Sequence, residues 1–264
     1  MTGAATRRVV CFDCDSTLTT IEGIDWLARR AGVRAEVEDL TRRAMAGEVP
    51  LESVYAARLA LVRPRPDDLA ALARAYDEHA GEDARATLAA LAAAGLETWV
   101  VSGGLIEAVL PFAVGLGIRR ERVRAVPVPW GETDPWVAAA AHPLARTAGK
   151  KDEISTLAAG DEVTLVGDGA SDAAARPAID RLIGFGGVVR HERTREVADD
   201  WISSPSLAPV VPLLVGPDPG PLAGTPHEAV WRVGTALIEA GSARRGSGSG
   251  DGCGGSGGGP MIAP

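Results

Sequence analysis

Short apolar runs alternate with stretches whose apolar positions recur at helical spacing. Residues 8–12 read as a buried strand that stops abruptly at Asp13, and residues 98–101 as a second that runs into Ser102-Gly103-Gly104. Residues 123–128, 163–166, 182–185 and 201–203 complete the strand set, with 163–166 ending in Gly167-Asp168-Gly169. Between them, Ile21, Ile24, Leu27 and Ala28 form one apolar stripe, and Leu51, Val54, Tyr55, Ala57, Leu59 and Leu61 suggest another helix. Pro64 and Pro66 interrupt the pattern before 67–80 resumes it, and an Ala/Leu-rich helix at 83–94 runs into Gly95. Helices follow at 106–114, 151–157 and 226–240, while 129–144, with Gly131, Pro135 and Pro143, reads as irregular.

Strands that alternate with helices predict an α/β fold, a Rossmann-like open and mostly parallel sheet with helices on both faces. The helical block after the first strand breaks that alternation and reads as a small inserted cap. The expected division is a discontinuous core of residues 1–17 and 86–240, a helical cap of 18–85, and a disordered Gly/Ser-rich tail from 241 to 264.

Composition narrows the function classes. The 264 residues are 46% hydrophobic and 23% charged, ordinary for a globular protein large enough for one core plus a small second unit. A formal net charge of −8 argues against a basic nucleic-acid-binding surface. No apolar run is long enough to span a membrane, and four apolar residues after Arg8 are too few for a signal peptide, so a cytoplasmic location is expected. Cys11 and Cys14 are too close in one strand and its exit to pair, and Cys253 lies in the tail. Lysine occurs only at 150 and 151.

Candidate chemistry sits at the strand ends. If the chain stays extended past Phe12, Asp13 and Asp15 face the same side, and their mutual repulsion invites a divalent cation. A calcium loop is excluded, because Leu18 and Ile24 stand where it needs Gly and Glu. Ser102-Gly103-Gly104 at a helix start offers a hydroxyl and bare amides to an anion. Gly167-Asp168-Gly169-Ala170-Ser171-Asp172 sets two acids four residues apart, and Lys151 opens a helix. Each has a plainer reading, as a cap, a turn or a solvated lysine.

In combination, Asp-x-Asp-Ser-Thr, Ser-Gly-Gly, Lys and Gly-Asp-Gly-x-x-Asp resemble the haloacid dehalogenase superfamily of phosphatases, over nearly the whole chain to about Leu214. Residues 22–28 (Glu-Gly-Ile-Asp-Trp-Leu-Ala), 41–47 (Thr-Arg-Arg-Ala-Met-Ala-Gly), 58–61 and Gly184-Phe185-Gly186-Gly187 are similar to the phosphoserine phosphatase family. The resemblance implies that Asp13 is a nucleophile forming an aspartyl-phosphate and that Asp15 is the acid/base. Mg²⁺ would be held by Asp13, the backbone carbonyl of Asp15, and Asp168. Ser102, Gly103 and Lys151 would bind phosphoryl oxygens, with Lys151 fitting the spacing better than Lys150. Asp172 would support the metal and the lysine, with Ser171 beside it, where the family often has Asn or Thr. In the cap, Glu22 would meet a substrate ammonium and Arg58 its carboxylate, with Met45 packing nearby; Leu51 stands where an aromatic residue is common. The implied reaction is Mg²⁺-dependent hydrolysis of O-phospho-L-serine in serine biosynthesis. The alternative is a phosphatase or phosphotransferase for another small phosphorylated metabolite such as phosphohomoserine. The expected partner is a small phosphomonoester alone, with no nucleic acid and no membrane, and the expected assembly is a monomer or homodimer.

Overall fold

The computed structural model describes residues 6–45 and 51–245. Its strands are β1 (Arg8–Phe12), β2 (Glu97–Leu105), β3 (Val123–Val126), β4 (Glu162–Gly167), β5 (Arg181–Phe185), β6 (Asp200–Ile202) and β7 (Ala243–Arg245). They form one sheet in the order β3-β2-β1-β4-β5-β6-β7. Every pairing is parallel except that of β6 with β7.

The helices are α1 (Gly23–Ala31), α2 (Arg34–Met45), α3 (Leu51–Val62), α4 (Pro66–Glu78), α5 (Ala84–Ala93) and α6 (Ile106–Gly115), then α7 (Pro135–Ala140), α8 (Gly149–Leu157), α9 (Ala170–Ala174), α10 (Glu192–Val197), α11 (Val210–Val215) and α12 (Glu228–Glu239). Val9, Val10, Cys11 and Phe12 of β1 are all buried, as a central strand covered on both faces requires. Full burial of a side chain such as Phe12 contributes about 1.5–3 kcal/mol.

Register aligns the site. Phe12 is level with Val100 on β2 and with Val166 on β4. Asp13, Ser102 and Asp168 therefore lie at one carboxyl-terminal edge of the sheet, Asp13 and Asp168 just past their strands and Ser102 within β2. That edge lies where strand order turns back around β1, the crevice in which open α/β sheets bind ligands.

Helices α1 to α4 interrupt the sheet between β1 and α5. The chain leaves and returns side by side: Thr19 bridges Ala80, and the amides of Thr20 and Gly81 donate to the carbonyls of His79 and Leu18 at 2.8 and 2.9 Å. Helix α4 packs along α6 of the core, with the Tyr76 and Phe112 rings 5.4 Å apart.

Three local expectations change. The stretch expected to be irregular holds α7, because Asp134 accepts bonds from the amides of Trp136 and Val137 and Pro135 suits a first helical turn. Part of the expected tail is ordered, since Ala243–Arg245 pairs antiparallel with β6 and covers its edge. The chain does not stay extended after Phe12 but turns, with the amides of Thr17, Leu18 and Thr19 all donating to the Cys14 carbonyl and Ser16 at φ 53. Among the described residues no helix is long and apolar enough to cross a membrane.

Candidate active site

The end of β1 places Asp13 with its Oδ1 accepting from the Cys14 amide at 2.7 Å and its Oδ2 against a lysine ammonium at 2.7 Å. That lysine is Lys150, which is 2% exposed and also donates to Asp172 Oδ1 at 2.7 Å. Lys151, which the family resemblance placed in this position, does not line the pocket. The reason is where α8 begins. Gly149 lies against Pro143, whose carbonyl oxygen would be 2.1 Å from any Cβ, so the helix start is pressed into the core. Neighbouring helical side chains diverge by about 100°, so one lysine enters the site and the next turns away.

Asp172 is fully buried, and its second oxygen accepts from the Gly169 amide at 3.0 Å. The carboxyl folds back over Gly167, where a Cβ would lie 2.3 Å from its carbon. Asp168, buried at the end of β4, accepts from Thr17 at 3.2 Å and faces His191 at 3.6 Å. Ser102 is buried, and its hydroxyl accepts from the Gly104 amide at 3.0 Å. Ser171 also lines the pocket.

The roof comes from the helical block. Ser16 donates to Glu22 Oε1 at 2.6 Å, holding that acid at the entrance to α1. Tyr55 on α3 donates to the Gly103 carbonyl at 3.0 Å, tying roof to floor. Arg58, one turn further along α3, has a buried Nε with no hydrogen-bond partner among the described residues. Tyr76 on α4 donates to Asp15 Oδ1 at 2.7 Å. Met45 closes α2, and its side chain, like that of Leu51, lies outside the described residues. The pocket between roof and floor, about 320 Å³, joins Asp13, Lys150 and Asp168 below to Glu22 and Arg58 above.

Buried negative charge dominates the electrostatics. Burial, reinforced by the charges of Asp13 and Asp172, pushes Asp168 up to about 9. Burial and then the Glu22 charge push Asp15 up to about 8 against the opposing Tyr76 bond. Asp172 rises to about 6 by burial, restrained by Lys150. Burial also raises Glu22. Burial alone would pull the Lys150 ammonium down, but Asp13 and Asp172 outweigh it and raise it.

Carboxylate oxygens of Asp13, Asp168 and Asp172 lie within 4.8 Å of one another. Lys150 and a backbone amide engage both oxygens of Asp13 and both oxygens of Asp172, whereas Asp168 accepts from Thr17 and faces His191.

Comparison with known proteins agrees with this geometry. Residues 7–180 match the haloacid dehalogenase-like hydrolase family. Phosphoserine phosphatase of Rattus norvegicus is 33% identical over 198 residues, covering 74% of this chain and 88% of that protein. A solved phospho-aspartyl intermediate analogue of phosphoserine phosphatase is 26% identical with a TM-score of 0.64, covering 79% of this chain and 99% of that one. DsGPDH of Dunaliella salina is 28% identical with a TM-score of 0.62 over 75% of this chain, which spans only 34% of that chain. The chain belongs to the phosphoserine phosphatase family of haloacid dehalogenase-like hydrolases.

Within this phosphatase, several pocket residues escape a reading of motifs. Tyr55 and Tyr76 sit in helical stripes, where an aromatic residue reads as core. Both do pack, but each hydroxyl reaches a polar group across the roof–floor boundary. His191 lies in a loop with no signal beyond its residue type. Ser16 was visible only as part of the Ser-Thr pair; its bond to Glu22 depends on the turn.

Proposed function

We propose that this phosphatase hydrolyses O-phospho-L-serine to L-serine and phosphate through an aspartyl-phosphate on Asp13. The observation that carries the substrate is Arg58. Its buried Nε has no hydrogen-bond partner among the described residues, and Arg58 lines one pocket with Glu22 and with the Asp13–Lys150 pair. A buried N–H left without a partner is costly unless a ligand completes it, and a carboxylate does so in matching planar geometry. Glu22 supplies the opposite charge for an ammonium. Phosphate, carboxylate and ammonium on a small molecule thus each meet a complement, and the cavity has the volume of a small-metabolite site.

In the first step Asp13 attacks phosphorus while Lys150, the Ser102 hydroxyl and the Gly103 backbone hold the phosphoryl oxygens. Lys150 takes here the role that the resemblance implied for Lys151. Asp15 protonates the departing serine oxygen, then removes a proton from the water that opens the aspartyl-phosphate. A carboxyl held near neutrality suits both halves of that cycle. Splitting the displacement in two lowers each barrier. Asp13, Asp168 and the Asp15 carbonyl would hold Mg²⁺, and the all-oxygen donor set fits that ion. When bound, the cation supplies positive charge against the transferring phosphoryl group. Asp172 holds Lys150 in place, with Ser171 beside it. Serine biosynthesis and a cytoplasmic location belong to the same reading.

The test is phosphate release with Mg²⁺ from L-phosphoserine, phosphothreonine, phosphohomoserine and p-nitrophenyl phosphate. A preference for L-phosphoserine that disappears in Arg58→Ala supports the reading. Equal rates on all four would retain a phosphatase but dismiss the assigned substrate.

A further inference from the structure

The two oxygens of Asp15 have different surroundings. Oδ1 accepts two bonds, from the Tyr76 hydroxyl at 2.7 Å and from the Gly23 amide at 3.0 Å. Oδ2 points elsewhere: a Cβ placed on Gly104 would lie 3.4 Å from it, so it faces the Ser102–Gly104 segment. The carboxyl is thus turned with one oxygen in the helical block and the other toward the place where the phosphoryl group is held.

Tyr76 is built for this contact. It is fully buried, its ring rests on Phe112, and the helix that carries it is fixed along α6. The hydroxyl reaches Oδ1 through space left by a missing side chain. A Cβ on Gly23 would lie 2.1 Å from the Tyr76 oxygen and 3.3 Å from Leu72. Glycine at the first position of α1 is unfavourable for helix propensity, but here it admits the hydroxyl and contributes its own amide to the same oxygen.

From this geometry we infer that Tyr76 is a positioning residue that keeps Oδ1 of Asp15 an acceptor and so directs the transferable proton to Oδ2. The inference rests on the phosphatase mechanism above. An oxygen that accepts two donors cannot also carry the proton without losing one of them. The neutral carboxyl then presents Oδ2–H to the ester oxygen. As the Asp13–phosphorus bond forms, the bond from phosphorus to the ester oxygen breaks. Its electron pair goes to that oxygen, which takes the proton from Oδ2 and leaves as an alcohol.

Leaving-group chemistry separates positioning from mere packing. Alkyl esters such as phosphoserine and ethyl phosphate need the proton, whereas p-nitrophenolate departs well without it. The parameter to compare is kcat/KM, which reports the steps through departure of the alcohol and not the later hydrolysis. Tyr76→Phe keeps the ring on Phe112 and removes only the hydroxyl. Its kcat/KM on the alkyl esters should fall about tenfold further than on p-nitrophenyl phosphate, a modest part of what general acid catalysis contributes. Gly23→Ala, which drives the hydroxyl off Oδ1 while keeping the tyrosine, should shift the same ratio in the same direction. Loss by one common factor on both ester classes, in either folded variant, would overturn the role. Failure of the unaltered protein to release phosphate from any of these esters would instead strike the parent mechanism.

Discussion

The floor of the pocket and its helical roof differ in how completely their polar groups are paired. On the floor, Asp13, Lys150 and Asp172 hold one another at hydrogen-bond distance, and Asp168 is bonded by Thr17. Among the described residues of the roof, Arg58 keeps a buried Nε with no hydrogen-bond partner, while Glu22 is held by a hydrogen bond from Ser16 only. The floor is preassembled around a reaction, and the roof is left incomplete where a substrate can finish it. Preorganised charge is what phosphoryl transfer demands, whereas selectivity gains most from groups that stay unpaired until the right ligand arrives.

The sharpest way to break the comparison is on the floor. Asp13→Asn should lower phosphate release by at least about 10³-fold on every ester, since groups that act as a unit fail together. Lys150→Met should cost about 10²- to 10³-fold, as loss of one stabilising charge does, while Lys151→Met stays within about twofold. Comparable losses at the two lysines, measured as kcat, would contradict the placement of Lys150. In the roof the effect should be smaller and selective. Arg58→Ala should reduce kcat/KM for phosphoserine about 10- to 100-fold, the range for a hydrogen bond to a charged group, and less for p-nitrophenyl phosphate.

Stability should expose the floor's dependence on a counter-charge. Asp15 and Asp168 rise from 3.8 to about 8 and about 9. The folded state then retains protons that the unfolded chain releases above about pH 4, so this stability is fully present below about pH 4 and is lost progressively as pH rises to about 8 and 9. The gap in melting temperature between Mg²⁺-supplied and Mg²⁺-free protein should widen over that range; a constant gap would count against a cation at these acids.

The smallest effect expected is at the far edge of the sheet. A chain ending at Ala240 lacks β7, whereas one ending at Arg245 keeps it. The shorter should melt lower by about 2–4 °C for each kcal/mol of lost pairing, with kcat the same in both.

Much of this was legible in the residues because burial and chemistry coincide at strand ends. A run such as Val9–Phe12 announces a central strand, and an acid directly after it announces a crevice. Lysine placement was not legible at the resolution of one residue, because the start of α8 depends on Gly149 meeting Pro143. The reason given for Asp15 also changed: a turn, not an extended strand, brings it beside Asp13. Strand β7 lay hidden in a Gly- and Ser-rich composition, since three residues carry no readable period.

By itself, the order of apolar runs and glycines determined a mostly parallel sheet with an inserted helical block, a consequence of periodicity, while the meeting of Asp13, Asp168 and Asp172 was implied by the family resemblance of the motifs at the strand ends. Only the tertiary structure decided which lysine enters the floor, which oxygen of Asp15 faces the pocket, and that two tyrosines join the roof to the site. Those outcomes turn on contacts between residues distant in the chain, such as Tyr76 with Asp15, 61 positions away, and local sequence carries no record of such distances.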